Sequence, residues 1–192
     1  MSAAGFETRP TALPGCMELR PPKHADARGD FVKIFHRGAF AALGLTTGFA
    51  ESYYTRSRRG VVRGLHFQRP PAEHAKLVCC TEGQVQDVAL DLRAGSPAYG
   101  RHTALTLCAE AGNMLYLPAG LAHGFCALSD SATVLYLVSS EYSPAHDAGI
   151  AWDSAGIAWA AKAPILSERD AAHPPLAGFV TPCRYRATEA SS

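Results

Sequence analysis

From about residue 30 the apolar positions of the chain fall into short runs separated by polar or glycine-bearing breaks. Eight runs, FVKIFHR (31–37), GFAESYYTRS (48–57), VVRGLHF (61–67), KLVCCTE (76–82), QVQDVALDLR (84–93), HTALTLCA (102–109), NMLYLPA (113–119) and ATVLYLVSSEY (132–142), have the length and β-branched or aromatic content of strands. The breaks at Glu82-Gly83, Ala94-Gly95-Ser96-Pro97, Gly112-Asn113 and Ser129-Asp130 carry the residues that tight reversals need. Within 84–93, Val88, Leu90 and Leu92 share one face and Asp87, Asp91 and Arg93 the other, the period of a half-buried strand. Long helical periodicity is missing, which leaves short helices possible at 39–43 and 167–172. The pattern predicts an all-β jelly roll, two packed sheets whose alternate residues line an internal mouth, with a few short peripheral helices. At 192 residues one domain is expected, with its core over about 13–183 and poorly ordered tails at 1–12 and 184–192.

Charge and cysteine usage narrow the partners. Lys and Arg (18) nearly balance Asp and Glu (17), and no stretch collects like charge, so the chain lacks the footprint of a nucleic-acid or anionic-membrane binder. A small-molecule partner is expected. The six cysteines are scattered without C-x-x-C spacing, and Cys79 and Cys80, adjacent in a predicted strand, point to opposite faces. Free thiols in a reducing cytosol are the expectation. The first residues have no basic flank followed by an apolar core, and no apolar run approaches 18 residues. A cytoplasmic protein without a membrane segment is predicted.

The candidate chemistry starts at His66, in the stretch Arg63-Gly64-Leu65-His66-Phe67-Gln68. A metal ligand, a base and a satisfied core histidine all fit an apolar strand. Two short patterns resemble those of metal-binding cupin jelly rolls: Gly112, Pro118, Gly120 and His123 nearly complete one, and Gly60 and His66 begin the other. Where the second ligand should stand there is Gln68, whose amide is a poor exchange for imidazole, and Glu73 follows two prolines. No metal is therefore expected. His66 is also not isolated. Gly64 could bulge the strand and turn Arg63 to the side of His66, and Lys76 opens the next strand. Several cationic groups in one cavity make a poor core and a good anion or enolate site.

These stretches, taken together, resemble the dTDP-4-dehydrorhamnose 3,5-epimerase family of cupin-type jelly-roll sugar-nucleotide epimerases. The resemblance is carried by Asp26-Ala27-Arg28-Gly29-Asp30-Phe31, the run from Ser57 to Arg69, Lys76-Leu77-Val78, the run from Asp87 to Arg101, the run from Leu117 to Ala127, Leu135-Tyr136, Tyr142-Ser143-Pro144, Ile150-Ala151-Trp152 and Leu166 to Ala171. It implies an isomerase without cofactor, acting by proton abstraction at C3 and/or C5 of a nucleotide-linked 4-keto-6-deoxyhexose. By resemblance His66 is the base, Asp170 its partner carboxylate and Tyr136 the acid that returns a proton to the opposite face. Lys76, helped by His123 and Arg63, meets the charge on the C4 oxygen. Arg63 and Arg28 would hold the diphosphate, and Arg169 stands where the family commonly has a phosphate-contacting lysine. Tyr142 lines the nucleotide side, and Gln68 and Asp147 complete the expected substrate contacts. The family also implies a homodimer with an exchanged N-terminal strand that carries Arg28 and Phe31 to the neighbouring site.

Three positions depart from the family pattern. Glu51 and Tyr53 replace a glutamine and an asparagine, and Lys33 replaces a glutamate at the base pocket. Thymine and uracil offer an N3–H that a carboxylate accepts, whereas cytosine offers an acceptor that an ammonium serves. A CDP-linked sugar, epimerised at one centre only, is thus an alternative to dTDP-4-dehydro-6-deoxyglucose. An NDP-sugar ketoisomerase and a non-catalytic sugar-binding jelly roll are further rivals.

Overall fold

A computed structural model describes residues 5–186. Thirteen strands and two short helices run in the order β1 (Glu7–Pro10), β2 (Met17–Arg20), β3 (Lys23–Asp26), β4 (Gly29–Val32), α1 (Arg37–Ala42), β5 (Glu51–Arg58), β6 (Val62–Gln68), β7 (Lys76–Glu82), β8 (Gln84–Asp91), β9 (His102–Cys108), β10 (Met114–Leu117), β11 (Leu121–Ala127), β12 (Ser131–Val138), β13 (Asp147–Gly149) and α2 (Glu168–Ala171). Six strands form one antiparallel sheet in the order β1-β2-β10-β7-β12-β5, and five form a second in the order β13-β6-β11-β8-β9. β3 and β4 form a separate hairpin. The two sheets make the jelly-roll sandwich of the cupin class. No helix among the described residues is long and apolar enough to cross a membrane.

Three apolar clusters explain why the central strands have few exposed positions. Val78, Val85, Ala89, Leu115, Phe125 and Val134 pack between the sheets. Phe6, Leu19, Phe40, Leu77, Cys79 and Met114 form a second layer, where the N-terminal segment and α1 cover the outside of the six-stranded sheet. Leu65, Phe67, Val88, Leu90 and Leu92 form a third with Ile150, Trp159, Leu176 and Phe179, under the C-terminal segment. Cys79 and Cys80 fall in different layers, as strand alternation requires, and all six cysteines are free thiols.

This layering overturns the half-buried reading of 84–93. Both faces of β8 are covered, and the apolar face points away from the space between the sheets. Burying Val88, Leu90 and Leu92 under the C-terminal segment contributes on the order of 5–9 kcal/mol. Asp87 and Asp91 then lie fully buried, which would cost several kcal/mol per ion without partners. Both have them. Asp91 accepts from Arg93 Nη2 at 2.6 Å and Ser96 Oγ at 2.7 Å, and Asp87 accepts from His123.

Other expectations need correcting. Run 31–37 stays a strand only to Val32; Phe35 joins the outer cluster, and His36 caps α1 by accepting the Ala39 N–H. β1, β2 and β3 precede the first predicted run. β11, at the centre of its sheet, lacked a strand signal because it contains Gly124 and no β-branched residue. The expected tail ends much earlier, since Phe6 is buried and β1 pairs along its length with β2. At the other end Tyr185 N–H bonds Ala94 O, with the Arg93 guanidinium over its ring. Residues 1–4 and 187–192 of the expected tails lie outside the described residues.

Candidate active site

The open end of the sandwich collects the polar side chains that point inward. From the five-stranded sheet come Arg63 and His66 on β6, His123 on β11 and Asp87 on β8; from the six-stranded sheet come Tyr53 on β5, Lys76 on β7 and Tyr136 on β12. His66 sits opposite His123 in the ladder, but Arg63 sits opposite Phe125, so two residues of β6 face Gly124 alone. That extra residue is the bulge that brings Arg63 to the side of His66, where Nε donates to Ser57 Oγ of the other sheet at 3.0 Å. Glycine is required on both strands. A Cβ on Gly64, at φ +137°, would lie 2.5 Å from the Gly124 Cα, and one on Gly124 would meet the Arg63 carbonyl at 2.7 Å.

His66 Nε2 lies 2.7 Å from Asp170 Oδ1. An ionised carboxylate can only accept, so Nε2 carries the proton and Nδ1 keeps the lone pair of the neutral ring. α2 places the carboxylate: Ser167 caps the helix by accepting the Asp170 N–H, and Asp170 Oδ2 accepts the Gly64 N–H at 3.2 Å. Burial would raise the Asp170 carboxyl, but the His66 bond and charge, with Gly64 and Ser167, outweigh it and hold the group below its usual range. His66 moves down although its partner carboxylate pulls it up. Burial, aided by Lys76 and Arg169, outweighs the upward pull of Asp170 and lowers the imidazole below its ordinary value. The ring is therefore neutral at pH 7.

Across the cavity the buried Lys76 Nζ donates to the His66 carbonyl at 3.2 Å, and burial brings its pKa down to about 8. Tyr136 is buried; desolvation, the Asp87 charge and Tyr53 push its hydroxyl well above 10, so it keeps its proton. Its ring stacks on Tyr53 (centroids 4.7 Å, 19°) and takes the edge of His123 at 5.8 Å. His123 Nε2–H donates to Asp87 at 2.9 Å, which fixes that ring as a second buried imidazole–carboxylate pair. At the rim, Asp147 accepts from Arg169 Nη2 and from the Tyr142 hydroxyl, while Glu51 accepts the Tyr142 N–H at 2.8 Å.

Not every expected residue joins this group. Gln68 is buried and its amide is already spent: Nε2 donates to Ala72 O and Glu141 O, and Oε1 accepts the Ser143 N–H at 2.6 Å. It clamps two loops together, which corrects its expected place at the substrate. Arg28, Phe31 and Lys33 lie on or just beyond the β3–β4 hairpin, with Arg28 paired to Asp26 and Phe31 61% exposed. Sequence reasoning missed three residues. Ser57 is one of several polar residues in a polar strand, Asp87 is a polar position in an apolar one, and His173 follows α2 in an unpatterned loop.

His173 also reopens the metal question, which had been settled on Gln68 and Glu73. His66, Asp170 and His173 each bring a donor atom within 4.8 Å of the others. Ligands about 2.0–2.2 Å from a tetrahedral ion stand roughly 3.3 Å apart. The His66–Asp170 pair at 2.7 Å has instead the spacing of a direct hydrogen bond, and two of the three donors are used on each other. The cluster fits a proton-handling group better than a metal cage.

A model of the dTDP-4-dehydrorhamnose 3,5-epimerase family matches residues 10–178. The chain belongs to this family. The epimerase is 42% identical over 165 residues to the dTDP-4-dehydrorhamnose 3-epimerase of Streptomyces niveus, covering 84% of its own chain and 80% of the relative. It is 39% identical over 163 residues to the dTDP-4-dehydrorhamnose 3,5-epimerase of Shigella flexneri, with 83% and 90% covered. Its structure resembles a dTDP-6-deoxy-D-glucose-3,5-epimerase of Legionella pneumophila, solved with dTDP-4-keto-L-rhamnose, at a TM-score of 0.90 and 32% identity over 95% and 100% of the two chains. These relatives are named for dTDP sugars and for epimerisation, and they do not favour the CDP-linked, ketoisomerase or non-catalytic alternatives.

Proposed function

We propose that the protein epimerises a dTDP-linked 4-keto-6-deoxyhexose at C3 and/or C5, without a cofactor, within one jelly-roll domain. What supports this reading is that the neutral His66, held by Asp170, and the protonated Tyr136 come from different sheets and are linked through His123, which pairs with His66 in the ladder and meets the Tyr136 ring edge-on. His66 Nδ1 takes the proton beside the ketone, and the new imidazolium charge meets Asp170. The electron pair moves onto the C4 oxygen, where the Lys76 ammonium neutralises it. Tyr136 returns a proton to the other face of the carbon, and the epimer is formed. Arg63 and Arg169 supply guanidinium groups for the diphosphate, with Tyr142, Glu51 and Tyr53 toward the nucleotide or sugar rim. Asp147 acts through the Arg169 and Tyr142 contacts it already makes.

A homodimer belongs to the same proposal. The β3–β4 hairpin pairs with neither sheet and leaves Phe31 and Arg28 exposed, which suits a strand that pairs with a second copy and brings those side chains and Lys33 to its site.

The test is NMR in deuterated water with dTDP- and CDP-linked 4-keto-6-deoxyglucose. Deuterium is expected at C3, C5 or both with the dTDP sugar; no exchange at either carbon would remove the reading, and preference for the CDP sugar would reassign the base. The same assay has a defined pH dependence. Lys76 stabilises negative charge only as the ammonium, so kcat/KM should fall as pH rises through about 8. On the acid side the rate should hold to a pH below the ordinary imidazole value, because His66 stays neutral there.

A further inference from the structure

His173 is a mostly buried imidazole for which the proposed reaction has no use. Its side chain is 11% exposed, and its Nε2 is buried without a hydrogen-bond partner. That atom lies 3.8 Å from Asp170 Oδ1, the oxygen that receives His66, and the two imidazole rings meet edge to face with centroids 5.6 Å apart. The slot that holds the ring is built into the sheet. Gly149 pairs with His66 across β13 and β6, and a Cβ on Gly149 would collide with the His173 ring atoms. Any side chain at 149 would therefore exclude His173 from this place beside the catalytic pair.

We propose that His173 is a positioning residue of the epimerase, which shares the Asp170 carboxylate with His66 by aiming its Nε2–H at Oδ1. The inference rests on the reading of His66 as the base. Physically, a buried N–H without a partner costs about 1–3 kcal/mol, and the Asp170 carboxylate, 3.8 Å away, comes within hydrogen-bond reach after a small shift. Two donors on one oxygen divide the anion's pull on each. His173 thus limits how tightly Asp170 holds a proton on His66 and keeps the base ready at neutral pH. The groups facing His173 are His66 from β6, Asp147 from β13, and Asp170 and Arg169 from α2. Burial, with Arg169, lowers its pKa against the pull of Asp170 and Asp147, so His173 is a neutral donor in the working range.

The test compares His173→Phe, which keeps a ring without a donor, with His173→Gln, whose amide nitrogen reaches nearly as far as Nε2. Under the proposal His173→Phe raises the acid-limb pKa of kcat/KM and lowers kcat at pH 7 about tenfold with KM little changed; His173→Gln restores both. Gly149→Ala, which expels the ring, should reproduce the Phe variant. A Phe variant with the wild-type pH profile and kcat would overturn the inference, as would equal losses in Phe and Gln variants accompanied by a fall in Tm. A readout that needs no substitution at 173 is the ring 15N spectrum of the wild-type protein. His173 should be the Nε2–H tautomer, with an Nε2 proton shift that moves in Asp170→Asn; an Nδ1–H tautomer would sink the proposal. Because this spectrum does not depend on turnover, it separates failure of the inference from failure of the epimerase reading, which wild-type exchange alone decides.

Discussion

Replacing His66 by Asn is expected to lower kcat by about 10²–10⁴-fold, the range that a positioned general base contributes. Asn keeps a polar side chain of smaller volume near Asp170 but has no lone pair basic enough to take a carbon-bound proton. Binding should change much less than turnover. The charged contacts proposed for the diphosphate, Arg63 and Arg169, do not depend on His66 for their partners: Arg63 is held by Ser57 and Arg169 by Asp147. The KM should therefore stay within a few fold of wild type. The informative measurement is deuterium wash-in rather than product formation. If His66 serves every centre that reacts, exchange must disappear at all of them together. Exchange surviving at one carbon would reveal a second base, and His123 is the nearest candidate imidazole in the ladder. His123 is a poor one, since its Nε2–H is locked onto the fully buried Asp87.

Tyr136→Phe should separate the two halves of the reaction. The base remains, so proton loss and return on the His66 face continue, and label should still enter the substrate. Delivery to the opposite face is lost, and net epimerisation should drop by roughly 10²–10³-fold, within the range for a missing general acid. The substitution removes one oxygen from a ring otherwise fixed by stacking on Tyr53 and by the edge of His123, so the fold should tolerate it. Wash-in without inversion would identify Tyr136 as the acid. Unchanged epimer formation would transfer that role to water or another residue, and loss of both exchange and inversion would mean that Tyr136 is needed before proton abstraction.

Much of the fold was legible because strand signals are local. Runs 48–57, 61–67, 76–82, 84–93, 102–109, 113–119 and 132–142 each contain or overlap a strand of the structure, and the turns at Gly83, Gly95 and Gly112 use the positive φ that their glycines permit. The two short helices also lie where 39–43 and 167–172 allowed them. β11 was not legible as a strand. Its small residues and Gly124 are chosen by the close approach of Gly64, a contact between segments some 60 residues apart.

Composition, the strand pattern and the ordered motifs thus determined the all-β class, the family and the residues most worth testing, because each depends on residue types at short spacings. Tertiary structure decided which way those residues face. β8 reads as a strand with an apolar side and a charged side, and in an isolated sandwich the apolar side would turn inward. Here the C-terminal segment covers that side, which frees the charged side to line the interior and pair Asp87 with His123. The same packing moved Gln68 from the expected substrate contacts to a loop clamp, and it brought His173 to the Asp170 carboxylate. Burial and pairing are properties of the assembled layers. A sequence lists the candidates for such pairs, but only the layers fix which carboxylate each imidazole meets.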